Sequence, residues 1–179
     1  MKRDVVLWQA AGFAAVSVMG TLLHFLYDWM GESVWMAPFS GVNESTWEHM
    51  KLLYFPLLLF SLVQSRFFRA YTHFWCVKLV GTATGLLLIP TLFYTYNGAI
   101  GKSPDWLNIT LYFLSAAGTF LLETHLLRRG GPRCHHPRGA CVLLGCIGVL
   151  FVVFTFVPPH LPLFRDPLTD TYGIHELKP

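Results

Sequence analysis

The chain reads as an all-α polytopic membrane protein, a five-transmembrane-helix bundle with its N-terminus inside and its C-terminus outside. Three observations lead there. Of 179 residues, 54% are hydrophobic and only 13% charged, against roughly 25% charged in a soluble domain. Five apolar stretches, at 5–27, 46–64, 73–96, 106–127 and 140–157, each reach the roughly 17–25 helical residues that cross a hydrocarbon core. Backbone groups in lipid must bond within their own segment, so these stretches are helices. The third observation is the loop charge. Eight of the thirteen Lys/Arg (Lys2, Arg3, Arg66, Arg69, Arg128, Arg129, Arg133 and Arg138) fall on one side, and three (Lys102, Arg165 and Lys178) on the other. The positive-inside rule makes the first side cytoplasmic. An odd number of spans agrees, because it puts the two ends on opposite faces.

The chain is read as one integral membrane domain, 1–179, with 158–179 as an outer tail. Its first apolar run exceeds a signal-peptide h-region and lacks a small-x-small cleavage site after it, so it is read as a retained span. Asp28, Glu32, Glu44, Glu48, Asp105, Asp166, Asp170 and Glu176 lie toward the outer face, and only Asp4 and Glu123 toward the inner one. The net charge of +3 thus hides a basic inner rim and an acidic outer one. Anionic lipid headgroups account for the basic rim, and no nucleic-acid partner is expected.

The first span ends in His24 and Asp28, an i,i+4 pair on one helix face. The Trp/Met/Phe-rich stretch after it suits a loop at headgroup level. Ser45 with Glu48 matches a capping box and should start the second span, which Pro56 should kink. In the third span, Lys78 is expected to snorkel to the inner interface. Gly81 and Gly85 form a small-xxx-small face for close packing or for a homo-oligomer or membrane partner. Pro90 should bend the outer half of that span. The fourth opens with Asn108 and Thr110 and ends in Glu123, His125, Arg128 and Arg129, with Glu123 and His125 read as snorkelling groups. The proline-rich tail after the fifth span is too short and polar to cross again. It should fold back over the outer mouth, with Asp166, Asp170 and Tyr172 as a lid.

Most informative is VNESTWEHMK, at 42–51, which sets two carboxylates, a histidine and a lysine at the mouth of an apolar helix. Charges inside a bilayer are costly, roughly 2.5–3.5 kcal/mol each at a helix centre, and are a functional-site hypothesis by default. Two readings stand side by side. In one, the cluster is a helix cap with a Glu48–Lys51 ion pair that docks the preceding loop. In the other, Glu44, Glu48, His49 and Lys51 meet His24 and Asp28 of the first span in an outward-facing polar pocket, to which Asn108 adds a hydrogen-bonding group. Within it His24, Asp28, Glu48 and His49 offer ligands for a divalent metal such as zinc, or groups for acid–base work. A second metal candidate is Cys134, His135, His136 and Cys141 in the basic inner loop. Cys76 and Cys146 read as small packing residues, and no outer-side disulfide is expected. The lack of a G-x-S-x-G motif leaves a catalytic serine unsupported.

The segments HFLYDW, VNESTWEHMKLLYFP and LFRDPLTDTYGI together resemble a family of small prokaryotic multi-spanning membrane proteins known only as a domain of unknown function. The resemblance would cover most of the chain and implies a helical membrane protein of about this length. A more distant similarity is to the alkaline ceramidase and progestin-receptor superfamily, membrane hydrolases that use intramembrane His and Asp around zinc. This chain has five spans rather than seven and lacks a late H-x-x-x-H pair. The expectation is therefore a multi-pass protein of a prokaryotic plasma membrane that binds or transports a small polar solute or ion. The alternatives are a membrane-embedded metal-dependent hydrolase acting on lipid or envelope substrates, and a structural subunit of a membrane assembly.

Overall fold

The structure, a computed structural model, describes residues 2–101, 104–132 and 134–174. Five helices follow one another: α1 (Lys2–Trp29), α2 (Thr46–Ser65), α3 (Phe74–Ile100), α4 (Asp105–Arg129) and α5 (Pro137–Phe156), then a single 3-10 turn at Pro162–Phe164. Among the described residues no strand forms, and one isolated antiparallel bridge joins Arg165 to Tyr172. Lys102, Arg133, Glu176 and Lys178, all used in reading the charge pattern, lie outside the described residues.

Three segments, Arg3–Trp29, Phe74–Ile100 and Pro137–Phe156, are long and apolar enough to cross a membrane. The other two helices are more polar, and the packing shows why that is tolerable. α2 touches α1, α3, α4, α5 and the 3-10 turn, so it is the middle of the bundle. Its polar residues Glu48, Lys51, Ser61 and Gln64 are all buried. α4 packs against α1 and α3 and buries Ser115, Thr119 and Glu123. The outside is apolar instead: Leu7, Val18 and Leu22 of α1, Leu59 and Leu62 of α2, Leu87 of α3, Leu114 and Leu121 of α4, and Val142 and Val149 of α5 are all exposed. This is the reverse of a soluble bundle, whose helices show water a polar face.

Local chemistry sets the helix ends. Ser45 takes the extended backbone of an N-cap, and its hydroxyl accepts from the Glu48 N–H at 3.4 Å. α2 and α3 run on through Pro56 and Pro90. A proline leaves the carbonyl four residues earlier without its helical donor. For Pro56 that carbonyl is Leu52, and the Tyr112 hydroxyl of α4 lies between it at 3.4 Å and Val16 O of α1 at 3.3 Å, sharing its single proton between the two. One phenol thereby ties three helices at the level where α2 lacks a backbone bond. The Tyr54 hydroxyl reaches across to Leu144 O of α5, beside Gly148, where an added Cβ would stand 3.0 Å from the phenol oxygen.

The small-xxx-small face of α3 is used within the chain. A Cβ on Gly81 would come 2.5 Å from Glu123 Cγ, and one on Gly85 would come 2.2 Å from Thr119 Oγ1. Two expectations about cysteine are corrected at the same end of the bundle. Cys76 and Cys134 form a disulfide with a Cα–Cα distance of 6.0 Å. In this bridged form Cys76 is not a simple packing thiol, and Cys134 is not available as a ligand beside His135, His136 and Cys141. The bridge ties the first turn of α3 to the α4–α5 loop because both lie at one depth.

Candidate functional site

The cluster at 42–51 separates into two structures with different chemistry. Glu48 and Lys51 turn inward. Lys51 Nζ is 2.5 Å from Glu48 Oε2 and donates to Ala37 O at 2.8 Å and to Thr155 Oγ1 at 3.0 Å. Glu48 Oε2 also accepts the Val42 N–H at 3.1 Å. An ammonium has three donors, and all three are engaged. Burial of both side chains is nearly complete. The pair pins the α1–α2 loop, through Ala37 and Val42, to α2 and to the outer end of α5. The capping box is thus half reciprocal: Ser45 caps the helix, while the glutamate reaches back to Val42, and the Ser45 N–H bonds Asn43 Oδ1 instead.

Glu44 and His49 turn the other way, toward α1 and α4. Glu44 Oε1 lies 3.6 Å from His24 Nε2, and its Oε2 lies 3.6 Å from His49 Nε2. The two imidazole rings are 5.6 Å apart, and His49 Nδ1 bonds Ser45 O at 2.9 Å. These groups open onto two joined hollows that share His49, Asn108 and Tyr112. One, of about 80 Å³, runs toward α3 and the tail between Glu44, Thr46, Phe93, Asn97 and Leu168. The other, of about 170 Å³, runs toward α1 between Thr21, His24, Phe25 and Phe113. Hollows of this size hold several water molecules and suit an ion with part of its shell or a small organic solute.

The tail forms one wall of this cleft through Pro167 and Leu168. Phe164 anchors it against Trp47, with ring centroids 4.7 Å apart. Asp166 is buried and organises the turn: its Oδ1 accepts from Leu168 N at 2.7 Å, and its Oδ2 from Glu44 N at 3.4 Å. Asp170 pairs with Arg165 on the exposed surface. The hydrogen bond from that guanidinium holds the Asp170 carboxyl below its ordinary range. The contact is therefore present above the usual aspartate range and fades as pH falls through the lowered value. Tyr172 packs on His160, away from the cleft. Asp28 is exposed at the end of α1.

Of the predicted pocket, the structure joins His24, Glu44, His49 and Asn108. It diverts Glu48 and Lys51 into the loop-pinning pair and uses Asp166 to fold the tail. The metal set His24, Asp28, Glu48 and His49 does not come together, because Glu48 faces Lys51. Among the described residues no three His, Cys, Asp or Glu side chains are grouped as a metal site.

The snorkelling expected of Lys78 and Glu123 is corrected as well. Both are fully buried, and Lys78 Nζ donates to Glu123 Oε2 at 2.6 Å. The ammonium lies 5.6–5.9 Å from the ring centres of Phe60, Phe74 and Phe120, within cation–π range. Gln9 and Gln64 are buried toward the same end of the bundle. Lys78, Glu123, Gln9 and Gln64 all fall near the inner ends of apolar stretches, which is the sequence signal for this buried group.

Glu48, Lys51, Lys78 and Glu123 turned inward, inside an all-helical bundle with an apolar exterior, define a helical protein that buries two ion pairs and leaves its other charges mostly at helix ends and in loops. The chain belongs to a family of unknown function, DUF6512, whose profile matches residues 2–174. No curated protein and no solved structure matches it.

The loop-pinning reading predicts an asymmetry. Removing one partner of a buried pair strands the other charge at about 3–5 kcal/mol, whereas replacing both with apolar groups is often neutral. Glu48→Gln should therefore lower the melting temperature of the detergent-purified protein sharply, and Glu48→Leu with Lys51→Met should recover part of the loss, the remainder reflecting the Val42 N–H and Ala37 O left without their partners. A double variant as unstable as the single one would contradict the reading.

Proposed function

We propose that the chain is a five-span integral protein of a prokaryotic plasma membrane, with a cytoplasmic N-terminus and an exterior C-terminus, and that it binds or transports a small polar solute or ion through the cleft at its outer end. Support for five spans comes from the exposed apolar residues on α2 and α4 as well as on the other helices, with the buried charges of α2 and α4 turned away from that surface. Exposed Trp29, Trp35 and Trp106 cluster at the outer ends, as an interfacial aromatic belt requires. The orientation rests on the distribution of Lys/Arg.

The observation that carries the solute reading is the placement of Glu44 between His24 and His49 at the mouth of hollows lined by Asn108 and Tyr112. A carboxylate accepts hydrogen bonds only, and neutral imidazole and amide groups both accept and donate. The favoured ligand is therefore a cation or a small solute with an ammonium or other donor group, its apolar part against Phe25, Phe93 or Phe113. The hydrolase alternative loses ground because Glu48 is held by Lys51. The structural-subunit alternative loses ground because the Gly81/Gly85 face is already covered by α4.

This orientation places the Cys76–Cys134 bridge on the cytoplasmic side, where disulfides rarely persist. The two thiols should therefore be reduced in growing cells and accessible to a permeant alkylating reagent, and a reporter fused to the C-terminus should be active only outside. A bridge that stays oxidised in the cell, or a C-terminal reporter active inside, would invert the proposed topology.

A thermal-shift screen of monovalent and divalent cations and small amines tests the cleft. A ligand at one hundred times its dissociation constant stabilises the folded state by about 2.7 kcal/mol. At least one of these probes should raise the melting temperature of the wild-type protein, and Glu44→Gln should abolish the shift. A full set without effect, or shifts that survive Glu44→Gln, would remove the basis for this reading.

A further inference from the structure

The two buried ion pairs are not equivalent. Around Glu48 and Lys51 each ammonium donor finds an oxygen. Around Lys78 and Glu123 the hydrogen-bonding capacity is left open. No hydrogen bond of ordinary length reaches Glu123 Oε1, the Gln9 amide or the Gln64 amide, although Gln9 stands close enough to Glu123 to act on its carboxyl as a weak donor. Exposure does not relieve this, since Gln9 is 2% exposed and the other three side chains are at 0%. Buried polar groups are nearly always paired with protein or with ordered water, and each exception calls for an explanation.

Position gathers these groups together. Gln9 of α1 lies beside Glu123, one helical turn from Gly12, which faces Phe60 and Phe120. Phe60 and Phe120 are two of the rings around the Lys78 ammonium. Gln64 lies four residues beyond Phe60, on the same face of α2, and is the penultimate residue of that helix. Four helices thus carry a carboxylate, an ammonium and two buried amides toward the inner end of the bundle, with Gln64 one turn beyond the Phe60 ring that faces Lys78. Lys78 is the one charged group that the described residues set against Glu123; α1 and α2 present amides.

We propose that this cluster is a hydrated site, in which water bridges the Gln9 and Gln64 amides to Glu123 Oε1 and makes the Glu123 carboxyl a store for protons exchanged with the inner aqueous phase. The ligand class follows from the donors and acceptors. Amides donate and accept, the free carboxylate oxygen accepts, and the adjacent ammonium repels a metal cation, which leaves water and the proton. In the loading step a hydronium gives a proton to Glu123 Oε1. An O–H bond forms there, one in the hydronium breaks, and a water molecule remains. Lys78 keeps its three protons. Loss of the carboxylate charge weakens the Lys78–Glu123 bond across the α3–α4 contact, where Gly81 lies against the Glu123 side chain. This inference stands independently of the outer cleft.

Infrared spectroscopy of the full chain in lipid nanodiscs tests it. Lowering the pH should raise a protonated-carboxyl stretch that Glu123→Gln removes, and the band should shift in D2O without delay. Gln9→Leu with Gln64→Leu should abolish the fast phase of that shift while the melting temperature holds. If Glu123→Gln does not fold, Glu123→Gln with Lys78→Met assigns the band, since it leaves no stranded charge. A spectrum with no band that depends on Glu123 overturns the proposal. So does a band inert to D2O, or exchange that is equally fast after both glutamines are lost.

Discussion

Everything in this fold follows from where α2 puts its charges. A helix that carries Glu48, Lys51 and Gln64 cannot offer those groups to lipid, and α2 avoids doing so by standing in contact with every other helix. Centrality has a cost in backbone terms, because Pro56 removes a hydrogen bond in the middle of the helix that has least access to water. Tyr112 offsets that loss, and in reaching Leu52 O and Val16 O it fixes how α1, α2 and α4 meet. The same three helices frame the outer cleft, so the repair of a proline defect and the shape of the candidate site share one residue.

Polar groups then divide by how completely they are satisfied. Glu48 Oε2 and the three donors of Lys51 are taken up by each other, by a loop and by α5. Glu44 and His49, one residue to four away in sequence, point to the opposite side of α2 and are only partly buried. Near the other end of α2, about 24 Å along the helix from Glu48 at 1.5 Å per residue, Gln64 marks a second polar level whose groups outnumber their partners. A bundle held only by packing would have no use for amides there, since a half-satisfied network is worse than an apolar core.

Much of this was legible in the residues. Composition and the five apolar stretches led to an all-helical chain whose helices begin and end within a few residues of the expected bounds. Ser45 and Glu48 announced the start of α2, and the short α1–α2 loop brought His24 to His49. The side of the helix that each charge takes was harder to read. A carboxylate near a helix mouth serves equally as a cap, a pin or a ligand, and the choice depends on Ala37 and Thr155, which no local pattern connects to Lys51. Lys78 and Glu123, 45 positions apart, each sit where a side chain has the length to snorkel. Only the close approach of α3 and α4 at Gly81 turns them toward each other. The Cys76–Cys134 bridge escaped for the same reason: its partners are 58 positions apart, and their common depth is a property of the folded bundle.

An experimental structure of the protein in lipid, at a resolution that shows ordered water, tests most directly the claim that the two buried pairs do different work. Density should bridge Gln9, Gln64 and Glu123, and none should lie between Lys51 and its three oxygen partners. A dry inner level with both amides turned onto protein groups, or water separating Glu48 from Lys51, would contradict the account.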